Sequence, residues 1–216
     1  MLELLLESVP VSSMVVGLAM VPILLGSLGA ALGVFSKRLD ALWQGIGLVP
    51  AVILALLFAA YVEVTYGALS LDGWPAMLRI LLAAVVLGVA DGALASAVMG
   101  TRSVFQEEVK QRYVQMALLR GESVLSNALP NVLPALVGQM RSRVLHILSG
   151  AVIVEVVLGI PGLGQLLWDG TLLQDFGVVL AAGWGFSLLS GAMLLVQAVF
   201  EIGIAMYVRY SPKVQM

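Results

Sequence analysis

The sequence predicts an all-α, polytopic membrane protein with about five transmembrane helices, its N-terminus outside and its C-terminus inside. Three observations lead to this fold class. The 216 residues are 61% hydrophobic and 11% charged, with a mean hydropathy of +1.05, values that are typical of membrane proteins. Apolar segments of span length, about 20 residues or more, alternate with short polar connections. Basic residues are concentrated in alternate connections, and this pattern orients the chain.

Five apolar segments have the length of a span, and together they form a single membrane domain over residues 1–216. The first nine residues are too few to cross a bilayer and predict a short lead-in helix. Pro22 predicts a local kink in the first span, because proline removes a helix hydrogen bond, and Pro50 lies inside the second. Pro75 favours the start of the third span. The predicted spans are residues 10–35, 41–66, 75–100, 134–158 and 177–208.

The connections that carry basic residues are expected on the cytosolic side. The N-terminus and the second and fourth connections have no lysine or arginine. Arg79, one turn into the third span, is expected to reach outward along its aliphatic stem. The cytosolic set is Lys37 and Arg38 in the first connection, Arg102, Lys110, Arg112 and Arg120 in the third, and Arg209 and Lys213 in the tail.

A polar island, residues 101–133, separates the third and fourth spans. Apolar residues recur at three- and four-residue steps from position 103 to 120, which predicts an amphipathic helix. Gly121 after Arg120 predicts a left-handed helix stop. A short helix over residues 122–129 follows, closed by Pro130 before the chain re-enters the membrane at Pro134. Both a helix lying on lipid headgroups and a docking helix for a cytosolic partner fit this pattern.

The island resembles the coupling loop of ABC-transporter permeases of the binding-protein-dependent importer type. Their signature is Glu-Ala-Ala, three residues and glycine, with a later Leu-Pro. Gln115-Met116-Ala117 and Gly121 occupy this pattern, and Leu129-Pro130 follows. The run GAVIVEVVLGIPGLGQLL, residues 150–167, is similar to the most recognisable run of the dipeptide, oligopeptide and nickel permeases.

The chain departs from the family pattern at several places, and it resembles a shortened form. Gln115 replaces the acidic residue of the signature, and Met116 replaces its first alanine. The gap after Gly121 is about four residues shorter than in the family, which predicts a docking helix shorter by about one turn, roughly 6 Å. The resemblance does not cover the family's usual first span or the large external segment that follows that span.

The resemblance implies a type I importer fold and a permease that forms the pathway for a small solute. That solute is expected to be a peptide, a peptide-like compound, or a metal or metal chelate. The implied location is the inner or cytoplasmic membrane of a bacterium or archaeon. The expected ATPase-coupling residues are Gln115, Ala117, Gly121, Glu122, Ser123, Leu125, Leu129 and Pro130.

The same resemblance implies partners that carry out the chemistry. These are two cytosolic ATPase subunits, a second permease in a heterodimer or homodimer, and an extracytoplasmic binding protein. ATP and Mg²⁺ are expected on the ATPases, because the chain has no GxxxxGK[ST] phosphate loop. We therefore expect no catalytic residue, no metal, no cofactor and no nucleic acid on this chain.

Ionisable residues inside the spans are costly in lipid and indicate function or pairing. Asp91 is expected to pair with Arg141 or Arg143 and hold two spans together, with a gate as one hypothesis for that pair. The alternatives are that these groups line the substrate pathway or that they reach to the membrane interface. His146 alone cannot form a metal site and is expected to be a satisfied histidine of the bundle. An external gate or turn is expected from Glu155, Pro161, Gly162, Leu163 and Gly164.

Three alternatives stay open at this point. An exporter, or a reduced ABC system without a binding protein, would use the same membrane core. A non-transporting structural membrane subunit would share the composition but would not need the glycine stop at Gly121. A membrane-embedded enzyme is disfavoured, because the single histidine, the lack of cysteine and the isolated serines provide no evident nucleophile–base pair.

Overall fold

The computed structural model describes residues 2–33, 37–66 and 75–210, and every regular element in these ranges is a helix. The all-α fold class is therefore confirmed. Two short 3₁₀ turns, Lys37–Leu39 and Ala90–Gly92, precede α2 and α5. The helices are α1 (Leu2–Ala31), α2 (Asp40–Gly47), α3 (Ala51–Tyr66), α4 (Ala76–Val89), α5 (Ala93–Val109), α6 (Arg112–Leu119), α7 (Val124–Val157), α8 (Leu163–Leu172) and α9 (Phe176–Tyr210).

Three segments of the described chain are long and apolar enough to cross a membrane: Leu2–Ala31, Ala76–Val109 and Phe176–Arg209. The bent pair α2–α3 adds a fourth when it is counted as one span. The 34-residue helix α7 also has ample length, but it carries Arg141, Arg143 and Glu155. The count of five spans requires α7 as a charged span, and it stays a prediction.

Two predicted boundaries at the N-terminal end are wrong. The first nine residues do not form a separate lead-in helix, because α1 is continuous from Leu2 through Pro10 and Pro22 to Ala31. The second predicted span, residues 41–66, is broken into two helices rather than continuous. Its halves α2 and α3 meet at 81° just before Pro50. A proline at the start of α3 is tolerated because the first amides of a helix have no intrahelical acceptor.

The helices over residues 75–158 also divide differently from the prediction. The helix does not end near position 100, since α5 continues to Val109; the end of the third span along it stays a prediction. The amphipathic helix expected over residues 103–120 is therefore split into the end of α5 and a separate α6. Pro130 does not close a short helix, because α7 runs through both Pro130 and Pro134; the entry into the membrane near Pro134 stays a prediction. Each proline removes one hydrogen bond, but its fixed φ is compatible with a helix.

Close packing of small residues holds α1 against α4 and α5. A Cβ on Gly88 would lie 2.5 Å from Pro22 Cγ and 2.9 Å from the carbonyl oxygen of Ala19, so the approach of α1 and α4 requires glycine there. A Cβ on Gly26 would lie 2.4 Å from Leu94 Cδ1 in α5. Glycine thus has a packing role at both positions.

Helix α7 is the centre of the bundle, since it contacts α1, α3, α4, α5, α6, α8 and α9. The helix α9 lies at the periphery, with only 11% of its most apolar window buried. One continuous helix therefore connects the predicted coupling turn at its start to the Pro-Gly-Leu-Gly turn that follows its end. The largest fully buried side chains of the described chain include Ile23, Val98, Ile147, Leu158, Ile160 and Leu163.

Candidate functional site

Gly121 ends α6 in the left-handed conformation predicted from the sequence, with φ of +79°. Its N–H donates to the carbonyl of Leu118 at 2.9 Å, and the N–H of Glu122 donates to the carbonyl of Ala117 at 3.0 Å. This pair of bonds is the Schellman arrangement that closes a helix at glycine. The turn is therefore a defined structure, which fixes where the chain enters α7.

A polar network holds the turn on its other side. Arg120 Nε donates to Glu122 Oε1 at 2.8 Å. Asn127 Nδ2 donates to Glu122 Oε2 at 3.1 Å and to the carbonyl of Ser123 at 2.9 Å. Glu122 and Ser123 are exposed, and Ser123 is the N-cap residue of α7 without a side-chain capping bond. These two predicted coupling residues are thus accessible on a braced turn.

The remaining predicted coupling residues divide by burial. Ala117 and Pro130 are buried, while Leu125 and Leu129 are half-buried. Gln115 is exposed, and its Nε2 donates to the carbonyl of Val109 at 2.9 Å. This bond connects α6 to the end of α5. The exposed apolar residues of α6 are Tyr113, Met116, Leu118 and Leu119.

Tyr113 connects α5, α6 and α7. Its hydroxyl donates to Glu108 and accepts from Asn131 Nδ2 at 2.6 Å. Burial, followed by the hydrogen bond to Glu108, raises the pKa of Tyr113 to about 12. The hydroxyl therefore stays neutral, and the link between α6 and α7 persists across the physiological pH range.

Glu155 is fully buried at the far end of α7, where it organises the Pro-Gly-Leu-Gly turn. Its Oε2 accepts the N–H of Gly164 at 2.7 Å, and Ser12 Oγ in α1 accepts the N–H of Leu163 at 2.8 Å. A Cβ on Gly162 would lie 2.4 Å from Glu155 Oε2, and one on Gly164 would lie 2.5 Å from the carbonyl oxygen of Val152. Pro161 is exposed. The structure thus brings this predicted set together around one carboxyl group.

Asp91 lies where two helix breaks cross. It has φ of +51° between α4 and α5, and its N–H donates to the carbonyl of Val49 at 3.1 Å in the break between α2 and α3. Its Oδ2 accepts the N–H of Ala51, the first residue of α3, at 3.3 Å. The carboxylate thus caps α3 and its positive dipole end.

The predicted pairing of Asp91 with an arginine is wrong. Among the described residues, Asp91 pairs instead with His146, whose Nε2 lies 3.7 Å from Oδ2. Arg143 is buried and donates to Gln139 Oε1 at 3.2 Å, while Arg141 is exposed. The choice of partner depends on which faces of α5 and α7 meet, and residue spacing did not specify those faces.

A polar cleft of about 510 Å³ lies between α5 and α7. It brings together three of the four predicted intramembrane residues and leaves out Arg141. The cleft is lined by Asp91, Ala93, Ser96, Gly100, Gln139, Ser142, Arg143 and His146. Among the residues that the structure describes, no group of three or more histidine and carboxylate side chains is arranged to hold a metal ion.

Two polar contacts were missed by the reading of the sequence. Arg102 forms a salt bridge with Asp40, which joins the start of α2 to α5. Arg79 does not simply reach outward, because its Nη1 donates to the carbonyl of Gly159 at 2.5 Å in the turn after α7. An arginine one turn inside an apolar helix indicates such a backbone acceptor, but not which one.

Residues 14–208 match the family model described as "Binding-protein-dependent transport system inner membrane component". The chain belongs to this family. The match contains the α6–α7 turn, the α5–α7 cleft and the turn at Glu155, and it confirms the ABC importer permease resemblance and the type I importer fold.

Curated relatives carry the name "Glutathione transport system permease protein GsiC". The chain is 33% identical to the one from Pectobacterium atrosepticum over 143 residues, which cover 64% of this chain and 46% of the relative. It is 30% identical to the one from Escherichia coli strain K12 over 166 residues, which cover 75% of this chain and 54% of the relative. The chain thus spans about half the length of the curated relatives it matches.

Proposed function

We propose that this chain is the membrane permease subunit of an ABC importer for a small peptide-like solute, with the α6–α7 turn as its ATPase-docking element. One observation carries the proposal: a member of this importer family presents a braced, exposed glycine turn at the start of its central helix. The exposed part of the turn comprises Gly121, Glu122 and Ser123, next to Leu119, which is 83% exposed.

Helix α7 supplies a mechanical route from the turn to the rest of the bundle. Its 34 residues correspond to a length of about 51 Å. The docking turn precedes its first residue, Arg143 and His146 lie along it, and Glu155 lies near its end. A displacement at the turn therefore moves the cleft and the opposite turn together, because a continuous helix transmits motion as a rigid element.

The substrate class rests on the relatives. They are named for glutathione, a small peptide-like compound, and their match to this chain extends over up to three quarters of it. We therefore propose a peptide-like solute ahead of a metal or metal chelate. Delivery by an extracytoplasmic binding protein is in keeping with the family's description.

The partners follow from surface and chemistry. We propose that two ATPase subunits bind ATP and Mg²⁺ on the cytosolic side of a bacterial inner membrane. A second permease, or a copy of this chain, is proposed to complete the pathway. The apolar face of α9 leaves surface for lipid or for that second permease, with large exposed side chains at Leu180, Trp184, Leu188, Leu195, Val199 and Phe200.

The docking proposal is tested by capturing the ATPase through this chain. Leu119→Asp places a charge on the exposed apolar surface beside the turn, and we expect it to lower ATPase co-purification at least tenfold. Leu173→Asp is the matched control, since Leu173 is 80% exposed in the connection between α8 and α9. The proposal is wrong if Leu119→Asp retains the ATPase as well as Leu173→Asp does.

A further inference from the structure

The α5–α7 cleft contains a buried cation with unused hydrogen-bonding capacity. Arg143 is 9% exposed. Its Nη2 donates to Gln139 Oε1 at 3.2 Å, whereas its Nη1 is buried without a hydrogen-bond partner in the described part of the chain. A buried guanidinium that lacks a counter-charge is unfavourable. The site therefore favours an incoming anion.

The chemistry of that anion follows from the shape of the guanidinium. Its planar fork matches a carboxylate in a two-pronged hydrogen bond. The amide of Gln139 and the hydroxyl groups of Ser142 and Ser96 line the same cleft and add neutral donors and acceptors. This mixture of groups suits an organic acid with a peptide-like backbone. A bare metal cation is disfavoured, since Arg143 would repel it.

Asp91 supplies the opposite charge in the same cleft. Its side chain is 32% exposed, so it can accept donors beyond Ala51 N–H and its neighbour His146. Arg143 and His146 are three residues apart on α7, a separation of about 5 Å along the helix axis. The cleft therefore presents a cationic and an anionic group in its lining, as recognition of a zwitterion requires.

We propose that the α5–α7 cleft is a binding site for zwitterionic, peptide-like solutes. The carboxylate of the solute binds Arg143, and its ammonium group binds Asp91. This assignment rests on the proposed permease function and adds to it the group that recognises the substrate. It also means that this chain contributes substrate-binding groups of its own to the pathway, in addition to any from the second permease.

The test is direct binding to the transporter assembly purified through this chain. Trialanine and its C-terminal amide serve as probes, because they differ in the carboxylate that Arg143 would hold. Titration calorimetry gives a Kd for each probe. We expect the wild-type assembly to bind trialanine about 10- to 100-fold more tightly than the amide, the range for a hydrogen bond to a charged group.

Substitutions at Arg143 separate recognition from structure. In Arg143→Gln the preference for the acid is expected to fall to about onefold, while Arg143→Lys keeps an intermediate preference because it retains the charge but not the fork. Arg141→Gln is the matched control, since Arg141 is exposed and lies outside the cleft. It should keep the wild-type preference.

Two outcomes would overturn the site. One is a wild-type assembly that does not prefer trialanine to its amide. The other is an Arg143→Gln assembly that keeps the wild-type preference for trialanine. If Arg143→Gln does not assemble, Arg143→Lys is the deciding variant. A wild-type preference for trialanine in Arg143→Lys would show that the two-pronged hydrogen bond of the guanidinium is not needed, and would contradict the site. Co-purification of the ATPase is recorded for every preparation. If no ATPase co-purifies with the wild-type chain, the permease proposal is contradicted rather than the binding site.

Discussion

Gly164→Ala is the substitution whose effect the structure specifies most closely. The new Cβ would lie 2.5 Å from the carbonyl oxygen of Val152 and 2.7 Å from its Cα, both in the backbone of α7. A backbone cannot rotate away as a side-chain tip does, so the turn must separate from α7. That movement also stretches the bond from Gly164 N–H to Glu155, now 2.7 Å.

The expected cost combines two effects. Overpacking of a tight contact costs about 1–3 kcal/mol, and loss of a hydrogen bond to a buried carboxyl group costs about 1–3 kcal/mol. Together they lower the free energy of unfolding by about 2–6 kcal/mol. For a chain of this length, soluble proteins lose about 2–4 °C in Tm per kcal/mol. We therefore expect the unfolding midpoint in detergent to fall by about 5 °C or more.

Two further alanine variants turn this prediction into a ranking. At Gly162 the new Cβ meets the side-chain atoms Glu155 Oε2 and Ser12 Oγ, which can move, so the loss should be smaller. At Gly183 in α9 an added Cβ would meet no atom within 4 Å from other helices of the described chain, and alanine should be neutral or slightly stabilising. A midpoint for Gly164→Ala within 1 °C of that for Gly183→Ala would refute the reasoning.

Three further predictions concern other parts of the chain. Gly121→Ala meets no atom within 4 Å but must adopt φ of +79°, so it should cost about 1–2 kcal/mol; Gly121→Asn should cost less, as thermal midpoints will show. Arg79→Leu removes the bond to Gly159 and should lower stability by about 1 kcal/mol or more, whereas Arg141→Leu, at an exposed position, should not. Tyr113 has a pKa raised from 10.0 to about 12, so its contribution to stability is full below pH 10 and lost as pH rises toward 12. Unfolding midpoints of wild type and Tyr113→Phe should therefore differ at pH 8 and converge toward pH 12; a constant difference contradicts this.

Local chemistry explains which features could be predicted from the sequence. The stop at Gly121 was predictable because a left-handed residue after a helix is a local requirement that glycine meets. The role of Pro130 was not, since a proline ends a helix only when neighbouring contacts do not stabilise its continuation. Pro130 is buried, and Asn131 beside it donates a hydrogen bond to Tyr113. The burial and the hydrogen bond both favour continuation of α7.

Partners of charged groups were harder to predict than the groups themselves. Asp91, Arg143 and Glu155 were recognisable as significant because charge inside an apolar helix is costly. Their contacts depend on how α1, α3, α5 and α7 are rotated relative to one another. The capping of α3 by Asp91 in particular requires two helix breaks to meet, and neither break is encoded near the other in the sequence.

The break between α2 and α3 and the break between α4 and α5 stabilise each other at Asp91. Each break satisfies backbone groups of the other, through Asp91 N–H to Val49 and Ala51 N–H to Asp91. Glycines allow the two backbones to approach, since a Cβ on Gly47 would lie 2.9 Å from Gly92 Cα. Neither break can fray alone, so amide hydrogen exchange at positions 51 and 91 should proceed at one common rate. Two interruptions that look like separate weak points along the chain thus form a single cooperative unit.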